Sequence, residues 1–262
     1  MAVSLDQILA STRLELPGLA RRRRALEREA ARRPAPASLR EALRGRAVAL
    51  VAEVKRRSPS AGIIRDDLVP GERAALYAAH GAAAISVLTD RSHFGGSMDD
   101  LRAAVARAGV PVLRKDFILD ELQVIEARAA GASAVLLIVR ALSPERLRAL
   151  LACAQSAGVE ALVEVHTPAE LERALEAGAE LVGVNSRDLD TFHIDVTAAW
   201  ELLARVPAGR VAVAESGMRA PEDVERAAAA GADAVLIGTA LSAAPDPAEL
   251  LRRFSRVPRR AR

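Results

Sequence analysis

A short dipeptide recurs along this chain and dictates its architecture: His80-Gly81, then Ala-Gly at 108–109, 130–131, 157–158, 177–178, 208–209 and 230–231. Each time an apolar, β-branched run follows: AAAISVLTD, VPVLRKDF, SAVLLIV, EALVEVH, ELVGVNSRD, RVAVAES and DAVLIGTAL, with VALVAEVK preceding them all. Most stretches between, such as SPERLRALLACAQS and TPAELERALEA, carry the apolar spacing of a helix that packs one face. Glycine just past such a segment is a left-handed helix cap. Ser143 or Thr167 followed by proline gives the matching start, a capping hydroxyl and then a ring already set at the helical φ. Strands alternating with helices imply βαβ units and a parallel sheet, and eight of them imply closure. The fold class is therefore α/β, a (β/α)8 TIM barrel over residues 48–262. The runs are continuously apolar, as strands buried on both faces must be. An open doubly wound sheet is the alternative, but KRRSPSAG stands where its GxGxxG fingerprint would follow the first strand. Residues 1–47 lie outside the repeat and are expected to form an N-terminal helical extension, with LDQILASTRLEL and LARRRRALEREAARR as two helices and PAPAS as a break.

Aromatic residues are only 2% of a chain that is 51% hydrophobic, so the core must be aliphatic. No stretch reaches the roughly 18 to 20 uncharged apolar residues of a membrane span, and MAVSLDQILASTRLEL lacks a signal peptide's layout, which predicts a cytoplasmic protein. Cys153, the one cysteine, is expected to be a packing residue. The net charge of +3 does not point to nucleic acid. Basic residues are interleaved with acids on helical faces, and the excess collects in ARRRRALEREAARR and FSRVPRRAR, neither of which has interleaved aromatics or a groove-reading motif. His80, His93 and His193 show no metal-ligand spacing, so no metal is expected.

The cations hold a second constraint. Of 37 basic side chains only Lys55 and Lys115 are lysines, and each ends a strand-like run. Lysine is a compact ammonium that can surrender its proton, and arginine effectively cannot. Active sites of (β/α)8 barrels lie at the carboxyl ends of the strands. There the sequence places Glu53 and Lys55 on strand one, Lys115 on strand three, Glu164 on strand five, Asn185 and Arg187 on strand six, and Glu215 on strand seven. Bringing so many charges to one mouth is costly unless they serve a ligand. Ser216-Gly217 after strand seven and Gly238-Thr239 after strand eight occupy the loops where such barrels hold phosphate on backbone N–H groups, and Ser58 can add a hydroxyl. His166, two residues beyond Glu164, reads as a loop histidine satisfied by its neighbours.

The ordered set EVKRRSPSAG, SVLTD with FGGS, PVLRKDF, AVLLIV, LVEVH, NSRDL with TF, ESG and VLIGTAL, from about residue 48 to 245, resembles indole-3-glycerol-phosphate synthase. The resemblance implies cyclisation of 1-(2-carboxyphenylamino)-1-deoxyribulose 5-phosphate to indole-3-glycerol phosphate with loss of carbon dioxide and water. It implies no metal or organic cofactor. Residue by residue, it makes Lys115 the general acid, sets Lys55 beside the substrate carboxylate and Glu53, makes Glu164 the base of dehydration, and leaves Glu53 and Glu215 to hold the lysines and the ribulose hydroxyls. Asn185 and Arg187 orient substrate, while Phe94, Phe117 and Leu136 form a slot for the anthranilate ring. Phosphate falls to Ser58, Ser216, Gly217, Gly238 and Thr239. Three departures stand out: NSR where NNR is common, AESG where SESG is usual, and His93 before the phenylalanine. None removes a charged group given a role.

The expected partner is a phosphorylated small molecule, without nucleic acid or membrane, for a monomer or weak homo-oligomer. A Schiff-base aldolase would also use a lysine at a strand end, and a non-catalytic phosphate-binding barrel would tolerate loss of Lys115 and Glu164. The second lysine and the aryl slot speak against the first, and the presence of both Lys115 and Glu164 speaks against the second.

Overall fold

The computed structural model describes residues 4–59 and 62–260. The eight apolar runs become β1 (Ala49–Val54), β2 (Ala84–Leu88), β3 (Val112–Lys115), β4 (Ala134–Ile138), β5 (Glu160–Val165), β6 (Leu181–Asn185), β7 (Val211–Glu215) and β8 (Ala234–Ile237). All adjacent pairs are parallel, and β1 closes the barrel on β8 with Ala49 opposite Ala234 and Ala52 opposite Ile237. The doubly wound alternative is thereby excluded. Side chains alternate between two apolar layers, as a period of two demands. Val51, Leu113, Leu136, Leu162, Leu181, Val213 and Leu236 fill the barrel interior. Leu50, Val87, Val135, Leu137 and Val163 face outward, where Tyr77 of α3 (Pro70–Ala79), Leu101, Leu147, Leu171 and Val224 of α9 (Pro221–Ala229) cover them. Each such leucine contributes about 1.5–3 kcal/mol of transfer free energy.

Ser143 and Thr167 cap α6 (Pro144–Ala157) and α7 (Pro168–Glu176), accepting from the backbone N–H of Arg146 and Glu170. Gly109, Gly131 and Gly158 are left-handed C-caps of α4 (Met98–Ala108), α5 (Glu121–Ala130) and α6. The Ala-Gly at 208–209 departs from the pattern, because α8 (Val196–Leu203) ends on Ala204 and leaves Gly209 in a later turn.

The expected pair of N-terminal helices is one: α1 runs unbroken from Leu5–Arg32 through Pro17. An interior proline costs about 3 kcal/mol when the carbonyl four residues back is stranded. Here Pro17 and Arg13 are both exposed, so water serves that carbonyl, while buried Leu5, Ile8, Leu9 and Leu26 anchor the helix on either side. At about 1.5 Å per residue the helix is long enough to run beside α5 from one end of the barrel to the other. At the mouth, Leu5, Ile8 and Leu9 join the apolar cluster that contains Phe117, and Ser11 Oγ lies 3.3 Å from His93 Nε2. At the opposite end, Arg33 donates to the Ala129 carbonyl at 2.8 Å. There α2 (Leu39–Ala42) is pinned to the start of β5, with Ser38 Oγ 2.8 Å and the Arg40 N–H 2.9 Å from the Glu160 carboxylate. Among the described residues, no helix is long and apolar enough to cross a membrane.

Candidate active site

At the carboxyl ends of the strands lies a cavity of about 610 Å³, and every residue that the sequence nominated lines it: Glu53, Lys55, Ser58, Phe94, Lys115, Phe117, Leu136, Glu164, Asn185, Arg187, Glu215, Ser216, Gly217, Gly238 and Thr239. Strand parity explains the convergence. Glu53 follows Val51 by two residues, Glu164 follows Leu162 and Glu215 follows Val213, so each acid continues an inward-facing apolar row to the rim. The carboxylates of Glu53, Glu164 and Glu215 are all but fully buried. Lys55 Nζ lies 2.7 Å from Glu53 Oε1. Lys115 Nζ sits between two acids, 3.5 Å from Glu164 and 3.6 Å from Glu215.

Lys115 is braced from behind. Arg114 points out of the barrel, buried, and pairs with Asp116 at 2.9 Å and with Glu126 of α5 at 3.1 Å. Asp116 in turn accepts from the Phe117 N–H at 2.9 Å, which sets the ring that lines the slot. Phe94 and Phe117 lie 6.3 Å apart at 38°, an ordinary tilted aromatic pair. Phe94 is held from the other loop by its N–H donating to Asp90 at 3.0 Å.

Burial opposes every charge here, and proximity decides which charges survive. For Lys115 burial works against the ammonium, but Glu164, Glu215 and Glu53 outweigh it and raise its pKa above the ordinary lysine value. For Glu53 burial is overcome by Lys55 and Lys115, so its carboxylate ionises below the usual range. Glu164 follows the same direction, burial being outweighed by Lys115, His166 and the Asn185 amide. Glu215 goes the other way: burial and the adjacent Glu164 charge lift it well above the carboxylate range despite Lys115. One ammonium does not neutralise two buried acids, so the pair divides into an ionised Glu164 and a protonated Glu215.

That division has a sign that can be tested. The unfolded chain releases the Glu215 proton near pH 4.3, whereas the folded protein keeps it, so this group makes stability fall as pH rises above that point. Glu215→Gln is expected to remove the slope. Measured against the parent, its melting temperature should improve as pH rises above about 5; a flat or declining difference would mean that Glu215 is ionised.

The phosphate candidates occupy unusual backbone. Ser216 has φ 65° and Gly217 φ 77°, two successive left-handed residues. For the serine this is strained by about 1–2 kcal/mol, the kind of strain found where function sets the backbone. Gly238 starts α10 (Thr239–Ala243), and glycine is required there by close approach. A Cβ at this position would stand 2.0 Å from Glu53 Oε1 and 3.0 Å from Lys55 Nζ. A substituent therefore meets the Glu53–Lys55 pair before it meets any ligand, so the residue does more than let a phosphate approach. Gly238→Ala should lower kcat as well as raise KM, by about 10- to 100-fold in kcat/KM if the pair moves by an ångström. A change in KM alone, from steady-state kinetics, would restore the simpler phosphate role.

The family model for indole-3-glycerol phosphate synthase matches residues 5–254. The chain belongs to the indole-3-glycerol phosphate synthase family. Indole-3-glycerol phosphate synthase 2 of Streptomyces coelicolor is 50% identical over 249 residues, covering 93% of this chain and 96% of that protein. The indole-3-glycerol phosphate synthase of Dehalococcoides mccartyi is 50% identical over 216 residues, 81% of this chain and 83% of its own length. Among solved structures, 3-hexulose-6-phosphate synthase matches with a TM-score of 0.61 at 19% identity over 79% of this chain and 98% of its own. Thiamine phosphate pyrophosphorylase from Pyrococcus furiosus matches with a TM-score of 0.59 at 17% identity, over 81% and 95%. These two show the barrel and nothing finer.

Within this indole-3-glycerol phosphate synthase family member, the departures noted in the sequence have structural places. Ser186 of NSR is buried and its hydroxyl donates to the Glu215 carbonyl at 3.1 Å, tying β6 to β7 beneath the site. His93 turns away from the cavity lining and meets α1 through Ser11. Sequence reasoning passed over Arg219, an exposed cation on the cavity wall that has no carboxylate partner among the described residues and whose charge acts on Arg187. Its position two residues beyond Gly217 was the available signal. His166 is indeed satisfied by neighbours on one side, but the other side of its ring faces Glu164.

Proposed function

We propose that this barrel converts 1-(2-carboxyphenylamino)-1-deoxyribulose 5-phosphate into indole-3-glycerol phosphate, carbon dioxide and water, with residues 48–262 as the catalytic barrel and residues 1–47 as an extension that closes its apolar side. The observation that carries this reading is the Lys115 ammonium held between Glu164 and Glu215 in a cavity that also presents a phenylalanine slot and the left-handed Ser216–Gly217 turn.

Ring closure needs the aryl carbon bearing the carboxylate to attack a ketone, and the developing alkoxide must be met by a proton or a positive charge. Lys115 supplies both. Its carboxylate neighbours keep it protonated, and an alkoxide is basic enough to take that proton even so. Lys55, balanced by Glu53, lies where the substrate carboxylate would sit, and neutral carbon dioxide leaves as the ring regains aromaticity. Dehydration then removes a proton from the carbon next to nitrogen and a hydroxyl from its neighbour. Glu164, ionised, takes the first; protonated Glu215 or Lys115 gives the proton that leaves with the second as water. Because a carboxylate departs as a neutral gas, each turnover takes up one proton from solvent. Phe94, Phe117 and Leu136 hold the ring edge-on to these groups, Asn185 and Arg187 orient the ribulose chain, and Ser58, Ser216, Gly217, Gly238 and Thr239 take the phosphate, with Arg219 as an added cation. The protein works in the cytoplasm as a monomer or weak homo-oligomer on a phosphorylated small molecule, with no metal or organic cofactor.

The test is direct. Purified protein given the synthetic ribulose substrate should develop indole fluorescence in the absence of any additive. No fluorescence under conditions where the protein is folded would overturn the assignment.

A further inference from the structure

His166 is left unused by the chemistry above, and its surroundings are not those of an idle side chain. It sits just past β5, two residues beyond Glu164, with its side chain almost wholly buried. Nε2 lies 3.4 Å from Glu164 Oε1. Both atoms are buried, and neither has a hydrogen-bond partner among the described residues. The other ring nitrogen, Nδ1, is 3.2 Å from Glu170 Oε2, an oxygen that also accepts the backbone N–H of His166 at 2.7 Å. Glu170 belongs to α7, and its second oxygen accepts from Arg140 Nε at 3.2 Å. Arg140, in the turn after β4, reaches on to Asp188 of the loop after β6 at 2.9 Å.

The donor count decides what this arrangement does. Burial opposes the charge of Glu170, but its bonds from His166 and Arg140 keep it ionised. An ionised carboxylate only accepts. Nδ1 must therefore carry a hydrogen, and a neutral ring would then turn a bare lone pair at Nε2 toward the bare lone pairs of Glu164 Oε1. Two acceptors facing each other in a buried site are unfavourable, and one proton between them removes the conflict.

We propose that His166 is a positioning residue that shares a proton with Glu164: its Nε2 hydrogen holds the carboxylate in line with Lys115 and keeps it ionised for the dehydration step. This rests on the reading of Glu164 as the base of dehydration. The step balances without any co-reactant. The proton lost by the carbon next to nitrogen moves to Glu164, no electrons change hands, and Glu164 releases it to solvent after product leaves, the hydrogen on Nε2 staying in place throughout. Before the step Glu164 is thereby kept ionised between Lys115 and His166. The charged groups bearing on the pair are Glu164 on β5, Lys115 on β3, Glu215 on β7, Glu53 on β1, Glu170 on α7 and Arg140 after β4.

The experiment is the pH profile of the dehydration step in single turnovers for the parent, His166→Gln and His166→Phe, with indole-3-glycerol phosphate binding as the check that the cavity is intact. Losing the imidazole removes a favourable partner of the Glu164 carboxylate, so the acid limb should move to higher pH, by about one unit or more. The rate at neutral pH should fall about tenfold or more, with product affinity unchanged. An unshifted limb in either variant, with binding preserved, overturns the proposal. If both variants fail to bind product, 15N NMR of the unaltered protein reports the same contact: a hydrogen on Nε2 that disappears in Glu164→Gln supports the shared proton, and a bare Nε2 in the parent contradicts it. A parallel measurement on Glu164→Gln separates the two readings. Fast dehydration there removes Glu164 as the base, whereas slow dehydration there with unshifted His166 variants leaves the base in place and removes only the role of His166.

Discussion

Lys115→Arg is expected to lower turnover by about 10²–10⁴-fold, the worth of a positioned proton donor, because a guanidinium keeps the charge and withholds the proton. Product affinity should stay within several-fold, since Glu164 and Glu215 keep a cation between them. Lys115→Met provides the contrast. It removes the charge as well, leaving Glu164 and Glu53 buried without the ammonium that holds them ionised. Removing one partner from a buried pair costs about 3–5 kcal/mol, so the methionine variant should lose stability along with activity, whereas the arginine variant should lose mainly activity. Thermal melts and steady-state kinetics on both variants distinguish the two effects. Ordinary turnover in Lys115→Arg would remove Lys115 as the acid.

Glu164→Gln should split the reaction. The amide keeps the side chain's shape and its place against Lys115 but accepts no proton, so dehydration should slow by about 10²–10⁴-fold. Ring closure and decarboxylation, which draw on Lys115 and Lys55, should continue. In a single turnover carbon dioxide should then precede indole fluorescence, with the hydroxylated ring-closed intermediate accumulating between them. Simultaneous signals at the parent rate would show that Glu164 is not the base. Simultaneous but equally slowed signals would place it at or before closure.

The barrel was legible because its signals are local and repeated: β-branched runs, glycine caps such as Gly131, and a hydroxyl followed by proline at Ser143 and Thr167. The mouth was legible for a different reason. A strand's period of two fixes which residues follow the inward row, so Glu53, Lys55, Glu164 and Glu215 share one face on sequence spacing alone. The features that escaped depend on what lies across space. Pro17 reads as a helix break, and only the exposure of Arg13 and the anchoring of Leu9 and Leu26 let the helix pass through it. Gly238 reads as a glycine that lets a phosphate approach, and only the position of the Glu53 carboxylate shows that it is also a clearance for that side chain. His166 obeys the same parity as Glu164, but its partner Glu170 is a helix residue and Arg140 comes from a third loop. The opposite directions taken by Glu164 and Glu215 belong to the same class: two identical side chains on neighbouring rims differ only through what faces them.

The central claim is that the two lysines of this mouth act on the substrate's carbonyl oxygen and carboxylate by proton transfer and charge, forming no bond to its carbon. Turnover of substrate carrying 13C in the carboxylate, quenched with borohydride and followed by product analysis and intact-protein mass spectrometry, tests it most directly. The account predicts one labelled carbon dioxide for each indole-3-glycerol phosphate and an unmodified protein mass. Indole formed without labelled carbon dioxide, or a reduced adduct on Lys115 or Lys55, would contradict it.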